Sequence, residues 1–214
     1  MTTPLVSPVV NTDTTLKTFL ALGDSYTIGQ SVMEYERFPI QTVTKLKNLH
    51  FNFSQPDIIA TTGWTTSDLI NALNKNIPQH IYSVVSLLIG VNNQYQGKSL
   101  DQYKTEFTEL LNRAIIYANN KPGHVFVLSI PDYSVTPFAR GSDTDKIARE
   151  IDEFNAANKE ISFNAGVHYL DITPVSRQAK TSPSLIATDG LHPSGEQYEK
   201  WAALLTPLIA DASK

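Results

Sequence analysis

Apolar residues recur in two rhythms along this chain. Short, nearly unbroken runs occupy 19–22, 56–60, 83–90, 125–130 and 167–172, each closed by glycine, proline or a cluster of small polar residues, which is the pattern of strands buried on both faces. Between them the apolar positions are spaced three and four apart. Val43, Leu46 and Leu49 mark a helix over 38–49, and Leu69, Ile70 and Leu73 one over 68–73. Tyr103, Phe107, Leu110, Leu111, Ala114, Ile115 and Ala118 trace a longer helix that Ser99 and Gln102 open as a capping box and that ends near 119–123. Ser142 and Asp145 open another, with Ile147, Ile151, Phe154 and Ala157 on one face, and a last helix after Pro193 carries Tyr198, Trp201, Leu204 and Leu205. The stretch 26–30 reads as a small-residue turn.

Five strands alternating with helices predict a parallel sheet covered on both faces, because right-handed crossovers place helices on either side. The expected fold class is α/β, a three-layer α/β/α sandwich with a five-stranded parallel sheet and the run 83–90 at its centre. One domain over 18–214 accounts for the pattern, preceded by an extension over 1–17 that is expected to be poorly ordered.

Composition narrows the partners. Charged residues make up 18% of the chain and the formal net charge is −4, so nucleic acid is not an expected ligand; Lys45 and Lys47 lie on the polar face of a predicted helix. Cysteine is absent, which removes disulfides, thiolate metal sites and thiol nucleophiles together. No stretch approaches the roughly 20 apolar residues of a membrane span, and residues 1–18 lack the charge and apolar core of a signal peptide. The default expectation is a cytoplasmic monomer, although a mature periplasmic or secreted form would look the same.

The chemistry gathers at strand ends. In an open α/β sheet the loops after successive strands share one edge, and here they offer Ser25, Gly63 and Asn92, while Asp189 and His192 stand three apart ahead of the last helix. A serine hydroxyl attacks only if a neighbouring base removes its proton, and His192 is the candidate. Asp189 can hold the other ring nitrogen and stabilise the positive imidazole. A backbone N–H at Gly63 and the amide of Asn92 suit the negative oxygen that an attacked carbonyl develops.

These residues form four ordered blocks: Gly-Asp-Ser at 23–25, a lone glycine at 63, Gly-X-Asn at 90–92 and Asp-X-X-His at 189–192. In them the chain resembles the SGNH/GDSL hydrolases, an esterase and lipase superfamily with a flavodoxin-like three-layer fold. The resemblance implies Ser25 as nucleophile and oxyanion donor, Gly63 and Asn92 as further oxyanion donors, His192 as base and Asp189 as its partner. It implies no cofactor and no metal, and a small-molecule ester as substrate, short to medium acyl or acetyl, with lysophospholipid, acetylated sugar and thioester all open. Two positions depart from the family pattern: Tyr26 replaces a leucine, and Asn93 replaces an aspartate that many members carry.

Other residues receive plainer roles. Asp24 is expected to bond nearby backbone rather than to act in catalysis. His50, His80, His124 and His168 lack metal-site spacing, and the acidic pairs Asp143/Asp145 and Asp152/Glu153 suit helix starts. Trp64, Asn93 and Tyr95 are candidate substrate-binding residues, and Tyr133 and Phe138 lie in loops that reach the same edge. The competing reading is a non-catalytic module that binds a carbohydrate or small ligand at this edge. A flavodoxin-like nucleotide binder would need a glycine-rich phosphate cradle, and 23–29 lacks the G-X-G-X-X-G spacing.

Overall fold

The computed structural model describes residues 14–78 and 80–214. Five parallel strands form one sheet in the order β2-β1-β3-β4-β5: β1 (Phe19–Gly23), β2 (Asp57–Ala60), β3 (Val84–Leu88), β4 (Val125–Leu128) and β5 (His168–Leu170). The inner strands β1, β3 and β4 are buried at every position, whereas β2 and β5 are partly exposed edges. The continuous apolar runs are therefore the inner ones, and 83–90 does hold the centre.

The chain steps from β1 outward to β2 through α2 (Phe38–Asn48), then reverses and crosses the sheet through α3 (Thr66–Lys75), α5 (Leu100–Tyr117) and α6 (Thr144–Asn164). With right-handed crossovers that single reversal puts α2 on one face and α3, α5 and α6 on the other. α8 (Gly195–Ala212) packs on α2, and α5 packs between α3 and α6, which completes three layers. Three short helices sit at the carboxyl edge or beside it: α1 (Ser25–Ile28), α4 (Val91–Tyr95) and α7 (Thr173–Arg177).

Local chemistry shifts several predicted boundaries. The stretch 26–30 is helical at its start, because Asp24 caps a single turn that Gly29 ends in the left-handed region. Ser99 caps α5 through the Gln102 backbone, yet the Gln102 side chain donates to Glu106 instead of returning to close a box. Asp143, not Ser142, caps α6, its side chain accepting the Lys146 N–H at 2.9 Å, while the Ser142 N–H closes the preceding turn on the Ala139 carbonyl. Leu204 is 42% exposed, and the buried stripe of α8 runs through Tyr198, Trp201, Leu205 and Ile209. The extension over 1–17 falls mainly on residues 1–13, outside the described residues, while Lys17 is bridged in parallel to Phe53.

Register brings the strand ends level: Gly23 pairs with Ala60 of β2 and Leu88 of β3. The loops after β1, β2 and β3 consequently leave the sheet at one height, at the point where the strand order reverses. A β-carbon on Gly23 would lie 2.1 Å from Thr27 Oγ1 and 2.4 Å from the Leu88 carbonyl oxygen, so the bend into α1 tolerates no side chain. Gly23→Ala is expected to destabilise the fold by about 3 kcal/mol, as overpacking against backbone does. In a chain of this length that lowers Tm by on the order of 10 °C, read by thermal unfolding.

Candidate active site

Ser25 is the first residue of α1 and is only 3% exposed. Asp24 Oδ1 accepts the Tyr26 N–H at 3.0 Å, and the Ser25 carbonyl accepts from both Gly29 and Gln30, at 3.1 and 3.0 Å. The turn is thus fixed on both sides of the serine. Asp24 lies beneath it, shut off from water, and burial pushes its carboxyl up to about 7 against the pull of backbone N–H groups.

His192 and Asp189 share a tight loop. Asp189 Oδ2 lies 2.6 Å from His192 Nδ1, while its Oδ1 accepts the backbone N–H groups of Leu191 and His192 at 2.9 and 3.0 Å. Partial burial raises the Asp189 carboxyl, but hydrogen bonds from Ser31, His192 and that backbone outweigh it and hold the group at about 2. Asp189 is therefore ionised across the ordinary range. With Nδ1 committed to it, His192 presents Nε2 as the nitrogen free to exchange a proton. The imidazole packs against the Tyr26 ring, with centroids 5.2 Å apart. This contact gives the tyrosine at 26 a task that no spacing rule announced.

Ser25, Gly63, Asn92 and His192 all line one cavity of about 120 Å³. Its remaining wall is Thr62, Val91 and Leu191 with four rings, Tyr26, Tyr95, Tyr133 and Phe138. Tyr95, Tyr133 and Phe138 pack on one another with centroids 5.9 to 6.3 Å apart, and Tyr95 and Phe138, 59% and 47% exposed, form the rim. Gly63 has φ +85° and open space where a side chain would be. Asn92 Nδ2 donates one hydrogen to the Trp64 carbonyl at 2.9 Å, which steadies the amide and leaves its second hydrogen for a ligand.

Two of the expected substrate-binding residues are placed elsewhere. Trp64 is absent from the cavity wall; its backbone serves Asn92, and its side chain packs at the edge of the core. Asn93 is fully buried, because one step along α4 turns it about 100° away from Asn92. Its amide is spent on Thr66, accepting the backbone N–H at 3.0 Å and donating to Oγ1 at 2.6 Å. Thr66 Oγ1 donates in turn to Glu106. A carboxylate at 93 would have no proton for that hydroxyl and would add charge near Glu106, which accounts for the amide here.

Among the described residues no three His, Asp or Glu side chains cluster as metal ligands, and no helix is long and apolar enough to cross a membrane. A family profile described as GDSL-like lipase/acylhydrolase matches residues 21–200, a span that contains all five predicted catalytic and oxyanion residues. The chain belongs to that family. It is an ester-hydrolysing enzyme. No curated protein matches it in sequence. Among solved structures it is similar to TesA, with TM-score 0.71, 14% identity, and coverage of 92% of this chain and 99% of that one. It is also similar to the acetylxylan esterase Axe2 of Geobacillus stearothermophilus, with TM-score 0.70 and 18% identity over 90% and 94% of the two chains. A third similar structure is the esterase EstA of a Pseudoalteromonas species, solved inhibited by monoethylphosphonate, with TM-score 0.64 and 17% identity over 92% and 93%. At these identities the likeness establishes the GDSL fold.

The buried carboxyl beneath the serine makes a pH prediction. A carboxyl whose folded value lies above its ordinary 3.8 takes up a proton on folding, so its stability contribution is full below that value and is lost as pH rises through about 7. Asp24→Asn keeps an acceptor for the Tyr26 N–H and removes the titration. Thermal unfolding should show the wild type losing Tm relative to Asp24→Asn between about pH 4 and about pH 7, and a flat difference would refute the assignment.

Proposed function

We propose that the protein is a serine esterase for short acyl esters that works through an acyl-enzyme on Ser25. The observation that carries this is the sharing of one small cavity by Ser25, Gly63, Asn92 and His192, with His192 Nδ1 tied to Asp189 at 2.6 Å and Nε2 left free. Ser25 Oγ attacks the ester carbonyl as His192 Nε2 takes its proton, and Asp189 stabilises the imidazolium that results. The carbonyl oxygen becomes negative and is met by the backbone N–H groups of Ser25 and Gly63 and by the free hydrogen of Asn92. The carbonyl re-forms, the bond to the alkoxy oxygen breaks, and His192 returns the proton to the leaving alcohol. Water repeats the sequence on the acyl-serine, giving the acid and free Ser25. No cofactor enters the scheme.

Cavity size argues for the short acyl class. A cavity of about 120 Å³ is smaller than the roughly 150 Å³ that holds a benzene ring, so it accommodates only a few carbons behind the carbonyl. Each methylene buried within the wall strengthens binding by about 0.8 kcal/mol, and those beyond it contribute nothing. Acetyl esters, the kind removed by the structurally similar acetylxylan esterase, fit this limit.

Hydrolysis of a p-nitrophenyl ester series should peak at two to four acyl carbons, an order-of-magnitude reading of the cavity. Ser25→Ala should lose at least about 10³-fold in kcat, and an organophosphonate should label the wild type once and the variant not at all. Retained activity in Ser25→Ala removes the serine mechanism; a wild type neither active nor labelled returns the site to the binding-module reading. Phe138→Ala opens the rim and should move the optimum to longer chains with little change in rate on acetate, and an unmoved optimum would remove Phe138 from the acyl wall.

A further inference from the structure

Just past the α1 turn, two adjacent residues reach two different loops of the site. Ser31 Oγ donates to Asp189 Oδ2 at 2.7 Å, the same oxygen that lies 2.6 Å from His192 Nδ1. Gln30 Oε1 accepts from Thr62 Oγ1 at 2.7 Å, and Thr62 precedes Gly63 on the cavity wall. Behind both, the N–H groups of Gly29 and Gln30 grip the Ser25 carbonyl. The loops bearing Ser25, Gly63 and His192 therefore converge on a span of three residues.

The backbone marks Ser31 as held in place. Its φ is +66°, in the left-handed region that residues other than glycine seldom adopt and that carries a free-energy cost. In that conformation its hydroxyl meets a carboxylate 158 residues away in the sequence. The two oxygens of Asp189 are also held differently. Oδ1 is fixed by two backbone N–H groups of its own loop, whereas Oδ2, the oxygen that faces the imidazole, has only His192 and Ser31 as side-chain donors among the described residues. Without the hydroxyl, rotation of the carboxylate about its Cβ–Cγ bond is opposed on that side by the histidine alone.

We infer that Ser31 is a positioning residue for the hydrolysis: by anchoring Asp189 Oδ2 it fixes the orientation of His192 toward Ser25. The inference rests on the reading of His192 as the base and Asp189 as its partner. Ser31 does not line the cavity, so its loss should act on the transition state and leave ground-state binding alone.

Ser31→Ala and Ser31→Gly separate the hydroxyl from the backbone, since both remove the donor but only glycine adopts φ +66° freely. Expected are a fall in kcat of about fivefold in both variants with KM unchanged on p-nitrophenyl acetate, and a Tm that drops in Ser31→Ala and holds or rises in Ser31→Gly. The proton between His192 Nδ1 and Asp189, observed as a downfield resonance by NMR, should shift and exchange faster with solvent in both. A kcat that follows Tm, that stays within twofold of wild type in both variants, or that falls while the proton is unchanged overturns the inference. The proton is read without turnover. If Ser25→Ala, assayed in parallel, keeps full activity, the assignment of Ser25 as nucleophile fails, while the proton still decides whether Ser31 holds Asp189.

Discussion

A strand can present the residue beyond its end to a cavity only if its backbone turns at once and nothing at the bend blocks the turn. Gly23 meets that condition by having no side chain: its α-carbon sits between Thr27 and the Leu88 carbonyl, with no room for one more carbon. Everything at the carboxyl edge inherits its position from this bend. The turn places Ser25 at the head of α1, the pairing of Gly23 with Ala60 and Leu88 brings the next two loops level with it, and the reversal of strand order opens the crevice between them.

Two aspartates beside the cavity show how the same side chain is put to opposite uses. Asp24 is buried under the serine turn, where loss of water favours its neutral form, and it serves as a cap for one backbone N–H. Asp189 is partly exposed and surrounded by donors, which favour its charge, and that charge faces an imidazole. Proximity to the serine in sequence is thus no guide to which carboxylate meets the histidine. Separation of the two environments is what lets one remain a constant anion beside the histidine while the other keeps to a structural task.

Most of the architecture was legible because the sheet is buried on both faces: β1, β3 and β4 read as unbroken apolar runs, and α5 and α6 read as helices from their spacing alone. Three of the four blocks were legible because each couples a residue type to a strand end, and the fourth because aspartate and histidine stand three apart just ahead of α8. What escaped lies where direction matters more than spacing. Asn92 and Asn93 are indistinguishable as amides in a run, yet one helical step sends the first to the cavity and the second to Thr66. Trp64 sits in the right loop but contributes its carbonyl, a group that every residue possesses. Ser31 is a small polar residue in a surface loop, and only the folded chain brings Asp189 to it. The α6 cap moved by one residue, from Ser142 to Asp143, two capping residue types that stand side by side in the sequence.

The docking of α8 on α2 also ties together two distant stretches of the chain. α2 follows the serine turn near the start of the chain, and α8 begins three residues after His192. His192 and the serine turn, far apart in sequence, are therefore held at one edge of the sheet by a contact between the helices that follow them. Loosening that contact would part His192 from the serine turn without touching either side chain.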